Sequence, residues 1–594
     1  MTQKRRERRE LKSLVFGVLL VAVGCNSAPP GPDPAVVAKS VNDVADEYLH
    51  GYLDAFPEAA LSMGARDPHP DQLGDHSLPA LKRWEQREDE LLGKLKKISI
   101  APIDDRPEAL TYKFLQQLLE ASIGFRACRS ELWNVSPTWT GWQASLPVTA
   151  GMESTDRPAL QQNALARWSQ LPKYLDDEID NLKEGIKLGY TAPKGNVRSV
   201  IGQVEGMLAA PVSDSPFVQM AKADAPKFKT QLEVLERTQF RPAITKYRDF
   251  LKTTYLPAAR EAIGVSANPH GLACYTAAVK YHATVDMTPK EIHELGLSQM
   301  AKSETEMKAI GKRALGIEDP LAILKLVTTD PKYRFKSRDE LIKAAESAVA
   351  RAKAEVPKWF GHVPGAPVIV EPYPAFLEKT APGGQAVPPT ADGKPGKYLL
   401  NAYKATEQSR AGLESTAFHE TYPGHHLQAA IALEQENLHP VQRYFFLSGF
   451  GEGWGLYAER LADEMGLFSS DIDRLGLLSN EGLRAARLVV DSGMHALGWT
   501  RQQAIDYVRA HTTETQAAAE AEVDRYIAVP GQATAYMIGN LEIRRLREEA
   551  RQKLGARFDI KTFHDITLED GSLPLWVLRE KIERWVAEEL KQKK

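Results

Sequence analysis

The chain has 594 residues, of which 43% are hydrophobic and 26% charged, with a formal net charge of −3. This balance excludes a mostly disordered chain and a polytopic membrane protein, and it leaves no basic excess to neutralise the phosphates of a nucleic acid. Three cysteines are too few for a disulfide scaffold or a four-cysteine zinc knuckle, and the length predicts one large domain or two intimate lobes.

The first segment reads as an address. Lys4, Arg5, Arg6, Arg8, Arg9 and Lys12 precede an apolar run from Leu14 to Val23, and Gly24-Cys25 follows. A basic start, a short apolar run and a small residue make a secretory signal, and the run is well short of the roughly 18 residues a spanning helix needs. A cysteine directly after the small residue resembles a bacterial lipoprotein signal, with residues 1–24 removed and Cys25 lipidated. An ordinary signal peptide cut nearby is the alternative. Loss of residues 1–24 takes away six basic and two acidic residues and leaves a charge of −7. The Pro-rich stretch within residues 25–38 reads as a tether between a membrane anchor and a body that starts at residue 39. Cys128 and Cys274 could pair in an oxidising compartment, but 146 residues separate them, and two buried free thiols are expected.

The body reads as helical. Leu165, Trp168, Leu171, Leu175, Ile179, Leu182 and Ile186 form one face at helical spacing, and Leu341, Ala345, Ala348, Ala352 and Val356 another. The segments 475–497 and 573–590 have the same character, and no repeat of 20–50 residues suggests a solenoid. The exception lies between Pro364 and Asn401. Val368-Ile369-Val370 and Lys397-Tyr398-Leu399-Leu400-Asn401 read as strands on either side of a Pro/Gly-rich stretch. A small sheet or long hairpin is expected there, with the strand near Lys397–Asn401 offering an edge to an extended peptide through Tyr398 and Asn401.

The chemistry concentrates in Phe418-His419-Glu420-Thr421-Tyr422-Pro423-Gly424-His425-His426. In the H-E-x-x-H pattern, two histidines one helical turn apart grip zinc and the glutamate serves as base. Here the second histidine is six or seven residues on. On a regular helix the first choice faces away and the second lies about 10 Å along the axis. Pro423-Gly424 offers a remedy, because proline removes a helical hydrogen bond and glycine admits unusual backbone angles. A bulge there would bring His425 or His426 back to His419. The alternative is a helix that simply ends at Pro423. A third ligand is expected from Glu452, in Gly449-Phe450-Gly451-Glu452-Gly453-Trp454-Gly455, whose glycines permit close helix approach. Glu459, two turns later on the same face, is the fallback.

Taken together, H-E-T-Y-P-G-H-H-L-Q, G-E-G-W-G-L-Y-A-E, V-D-S-G-M-H-A-L-G-W and P-G-Q-A-T-A-Y-M-I-G resemble the bacterial domain-of-unknown-function 885 family, from about Val44 to the C-terminus. The resemblance implies a mostly α, two-lobed, zincin-like fold, similar to the thimet-oligopeptidase and carboxypeptidase Taq groups. It also implies a secreted or lipid-anchored location. It maps His419, His425 and Glu452 onto the metal ligands and Glu420 onto the base, with His426 as alternate.

Farther on, Arg487, Asp491 and His495 share one helix face. His495 is expected to donate to an oxyanion, or Asp491 to orient a ligand histidine from behind, and a buried polar network is the alternative. Pro530-Gly531 reads as a turn that opens a helix carrying Tyr536, the second oxyanion donor by resemblance. Arg525 is expected to hold a substrate carboxylate, or else to pair with Glu522. The expected protein is a zinc-dependent extracytoplasmic hydrolase with one Zn2+ per chain, acting on short peptides. The alternatives are a hydrolase of a non-peptide amide or ester, and a non-catalytic ligand-binding lipoprotein. Peptide or small-molecule substrate and a membrane reached through the lipid anchor are the expected partners.

Overall fold

Asp33 caps the first helix, its side chain accepting from the Ala35 amide, and Pro34 occupies the first helical position. Both are strong start signals. The helix Pro34–Ala55 therefore begins inside the predicted tether, which is shorter than residues 25–38. The computed structural model describes residues 32–374, 378, 381–390 and 393–591. The signal segment and Cys25 lie outside the described residues.

The predicted helices form, and the breaks between them have local causes. The apolar face from Leu165 to Ile186 is split into Pro158–Trp168 and Leu171–Leu188, with Pro172 near the start of the second helix. Proline is accepted there because the first turn has no amide to lose. The later segments appear as Arg338–Glu355, Asp471–Ala496 and Leu575–Lys591.

The apolar faces gather into two main cores. One is built from Leu73 and residues of the 135–259 stretch, including Trp142, Trp168, Phe217 and Tyr247. The larger joins the N-terminal helices to the whole C-terminal half and contains Phe418, Tyr422, Trp454, Tyr526 and Met537. Within it Ser448–Glu464, the Glu452 helix, packs against Ala535–Leu554, the Tyr536 helix, with Gly453 against Gly539.

Strands β1 (Val368–Pro372), β2 (Gly384–Val387) and β3 (Gly396–Leu400) form one sheet in the order β1-β3-β2. β1 runs parallel to β3 and β2 antiparallel to it. The predicted edge strand is thus the central one, with both ladders filled, and the free edge of this sheet next to the His419 helix belongs to β2. A strand from within the Pro/Gly-rich stretch, short and without β-branched residues except Val387, took the place that the reading of two strands left open.

Cys128 and Cys274 form a disulfide. This corrects the expectation of free thiols. The helix Gly271–Ala283 lies beside the turn Arg126–Cys128 and removes the 146-residue separation that argued against pairing.

Candidate metal centre

The His419 helix, Leu413–Glu420, stops one residue after its histidine, and a new helix, His425–Glu434, begins at the next. The predicted bulge is a full turn, Thr421 to Gly424, containing a cis Tyr422–Pro423 peptide. Three contacts define it. The Leu427 amide donates to the Thr421 carbonyl at 3.2 Å, and the Trp454 indole donates to the Pro423 carbonyl at 2.9 Å. A Cβ at Gly424 would overlap the carbonyl oxygen of His419, so only glycine lets the turn close this tightly. The result sets the imidazoles of His419 and His425 at right angles, 4.7 Å between centroids.

Glu452 completes the group. Its Oε2 lies 3.5 Å from His419 Nε2 and 3.4 Å from His425 Nε2. Donor atoms of the three residues all fall within 4.8 Å of one another. Around a tetrahedral zinc with bonds of roughly 2.0–2.2 Å, neighbouring donors lie about 3.3–3.6 Å apart. Two imidazole nitrogens and a carboxylate at these spacings fit such an ion and leave room for one further ligand. His419 is buried, while His425 and Glu452 keep 16% and 18% side-chain exposure, so the group opens on one side.

Behind His419 stands Glu459. Its carboxylate faces His419 Nδ1 at 2.9 Å, accepts from the Ser415 hydroxyl, and has Arg484 Nη2 at 3.5 Å. Glu459 is therefore not a substitute ligand but the group that fixes which nitrogen of His419 faces Glu452. Burial works against its charge, yet Arg484 and His419 hold it below the ordinary glutamate range. Burial likewise opposes a charged His419, but Glu452 and Glu459 outweigh it and push the ring up to about 9. Glu452, although desolvated, is held well below the usual range by the two histidines. Two carboxylates thus border the two imidazoles, an electrostatic setting that suits a cation. Gly455 makes room for the assembly, since a Cβ there would come within 2.6 Å of the His419 ring.

Glu420 points toward the sheet. Its Oε2 accepts from the Ala386 amide of β2 at 2.7 Å. Ala386 sits opposite Tyr398 in the ladder, and its amide turns away from β3 to reach Glu420. Tyr536 is half-buried and close enough to Glu452 for that carboxylate to help burial raise its phenol.

The structure separates the other predicted residues from the cluster. His426 donates from Nε2 to the Ala366 carbonyl at 3.0 Å and packs against Tyr422, so it is not an alternate ligand. His495 is fully buried. Its Nδ1 accepts from the Val265 amide at 3.0 Å and its Nε2 donates to the Tyr526 carbonyl at 2.9 Å, which leaves nothing for an oxyanion. Asp491 accepts from Tyr275 Oη at 2.7 Å and from the Gly531 amide at 3.1 Å, and it touches no ligand histidine. The polar-network alternative describes both. Tyr398 is fully buried under the sheet rather than at its edge. Asn401 is spent on the Glu378 and Ala381 carbonyls and the Tyr403 amide, which staple a loop. Arg525 pairs with Glu522 at 3.0 Å and donates to Gln532 Oε1 at 2.6 Å. Trp454, Ser415, Arg484 and the Ala386 amide escaped the sequence reading. Ser415 is one helical turn before His419, so its spacing was available as a signal.

A helical fold with a His-His-Glu cluster and an adjacent glutamate defines the class. The chain belongs to the family described as bacterial protein of unknown function DUF885, which it matches over residues 57–582. Two solved structures share the fold. One, described as a "putative lipoprotein" from Colwellia psychrerythraea, is 24% identical with a TM-score of 0.86, covering 93% of this chain and 99% of that one. The other, described as a "putative lipoprotein of unknown function" from Shewanella oneidensis, is 19% identical with a TM-score of 0.71, covering 91% and 99%. No curated protein matches the chain. Among the described residues no helix is long and apolar enough to cross a membrane.

Proposed function

We propose that the protein is a zinc-dependent hydrolase of zincin-like design that cleaves short peptides outside the cytoplasm. The convergence of His419, His425 and Glu452 beside Glu420 carries this reading. A zinc ion held by these three residues supplies Lewis acidity to a scissile carbonyl and lowers the pKa of water at the site. Glu459 keeps His419 in the tautomer that offers Nε2. Glu420 takes the proton from the attacking water and returns it to the leaving amine. Tyr536 donates to the oxygen that gains negative charge as the carbonyl carbon becomes tetrahedral. The outer edge of β2 lies against Glu420, which supports binding of an extended substrate backbone along that strand. The basic, apolar and Gly24-Cys25 pattern of the leader, together with the descriptions of the two similar proteins, supports a lipid-anchored, extracytoplasmic location.

The test is metal analysis of purified protein together with digestion of a peptide library read by mass spectrometry. About one zinc per chain, and cleavage abolished in Glu420→Gln while zinc is retained, is the expected result. Protein free of zinc even after incubation with it would overturn the reading. Zinc-loaded protein that leaves peptides intact but cleaves amide or ester metabolites would move the substrate class away from peptides.

A further inference from the structure

Arg487 lies on the helix Asp471–Ala496 and is buried, with 7% exposure. Its Nε donates to Tyr526 Oη at 3.0 Å and its Nη2 to Glu522 Oε2 at 2.9 Å. Its Nη1 is enclosed and has no protein partner. Buried guanidinium nitrogens are nearly always bonded, because an unmade bond to a charged group costs its full desolvation. Nη1 of Arg487 is the one buried terminal guanidinium nitrogen without a partner among the described residues, which leaves it free for an acceptor that is not part of the chain.

Its surroundings say what kind. The guanidinium carbon sits 4.4 Å from the ring centroid of Tyr536, the residue that neighbours Glu452. Arg525 approaches from the other side of Glu522, at 3.0 Å from the same oxygen that Arg487 contacts. Glu522 thus serves two guanidiniums and leaves one positive charge unbalanced. The third nearby arginine, Arg484, has Glu459 as its own partner. Glu514, near both Arg487 and Arg484, has its carboxyl raised by burial and by Glu522, which weakens it as a counter-ion. Trp139, half-exposed and 5.8 Å above Arg525, comes from the stretch that builds the smaller core, and it gives the basic group an open, aromatic margin.

We propose that Arg487, backed by Arg525, binds the free α-carboxylate of a peptide substrate, so that the cleaved bond is the one near the carboxyl terminus. The proposal rests on the hydrolase reading and narrows its substrates to exopeptidase substrates. Water adds across one C–N bond. Its oxygen goes to the acyl carbon, which leaves as a carboxylate, and both its protons go to the nitrogen, so that the C–N bond breaks and the amine leaves as an ammonium group. That amine belongs to the fragment whose other end Arg487 holds. The charge-assisted N–H···O bond that Nη1 can still make favours a carboxylate over a neutral carboxamide.

Calorimetric titration of the full wild-type chain tests it with three probes: Ala-Ala-Phe, its C-terminal amide, and the amide Ala-Glu-Phe-NH2, which carries a carboxylate only on a side chain. The acid should bind about 10- to 100-fold tighter than either amide, the range for a charge-assisted pair. Arg487→Lys should erase most of that preference while its far-ultraviolet dichroism stays unchanged. Where the variant fails to fold, the wild-type comparison decides alone. Equal binding of acid and amide, no binding of the acid, or binding of the side-chain acid as tight as the terminal one would each overturn the proposal. Cleavage of amidated and free peptides at equal rates by zinc-loaded protein would sink the carboxylate site and leave the hydrolase reading standing. Acid-selective binding without any peptide cleavage would do the reverse.

Discussion

Glu459 shows how much a single side chain behind a ligand can decide. It makes its contact with His419 through the nitrogen that does not face Glu452. Replacement by Gln keeps the shape but removes the charge that Arg484 and His419 stabilise. Glu459→Gln is expected to weaken zinc binding about 10- to 100-fold, measured by competition with a chelator of known affinity. Unchanged affinity would reduce Glu459 to a packing residue. Asp491 makes a different case. Burial lifts its carboxyl to about 7, against the hydrogen bonds from Tyr275 and Gly531. Because the folded value lies above the ordinary one, the folded chain keeps a proton that the unfolded chain has released between about pH 4 and pH 7. That contribution is complete below about pH 4 and is lost as pH rises through 7. Asp491→Asn keeps an acceptor oxygen without the charge. Its stability relative to wild type should grow by about 3 kcal/mol between pH 5 and pH 8, read from urea midpoints.

The elements around the cluster are placed by breaks rather than by regular structure. The two histidines meet because one helix ends at Glu420 and another starts at His425, with Gly424 pressed against the His419 carbonyl. Gly424→Ala should separate the two helices and abolish stoichiometric zinc binding while global helicity stays near wild type. Zinc binding at wild-type affinity would show that the turn can relax. The spacing in the sequence made the need for a break legible, because neither i+6 nor i+7 works on a straight helix. It did not show that the break is a four-residue turn with Trp454 pinned to the Pro423 carbonyl, a contact between residues 31 apart. The same limit applies to the sheet. Val368–Val370 and Lys397–Leu400 carried β-branched or apolar signals and became β1 and β3. Gly384–Val387 carried turn residues and became a strand because β3 offered it a ladder, a tertiary effect that local propensity does not encode. Asp491 and His495 were legible as buried polar groups, but which backbone amides they serve depends on the Gly531 and Val265 loops.

At the scale of the whole molecule, buried neutral histidines set the response to acid. Burial holds His495 at about 4 and His564 at about 3, the latter between the Trp359 carbonyl and Tyr457 Oη. Unfolded histidines take up protons below about pH 6.5, so each contributes stability that is present above that value and lost as pH falls toward its folded value. Stability should therefore drop from pH 6.5 to pH 4.5, opposite in sign to the Asp491 effect. His495→Gln should flatten its share, about 3 kcal/mol at most, in denaturant titrations across that range. The disulfide acts at the same scale. It closes a loop of 146 residues, for which the chain-entropy estimate reaches about 5 kcal/mol. A Cys128→Ser, Cys274→Ser double variant should melt several degrees lower than the oxidised parent, and an unchanged midpoint would mean the packing alone holds the two segments together.

That covalent bridge also governs what a protease can do to the molecule. A cut at any surface loop between residues 128 and 274, which includes the whole helical stretch from Trp142 to Ala258, leaves two polypeptides that remain tied together. The nicked molecule keeps its covalent unity. It would run as one band until reductant is added, and the histidine pair and its glutamate, all carried beyond the bridge, would stay on an unbroken length of chain.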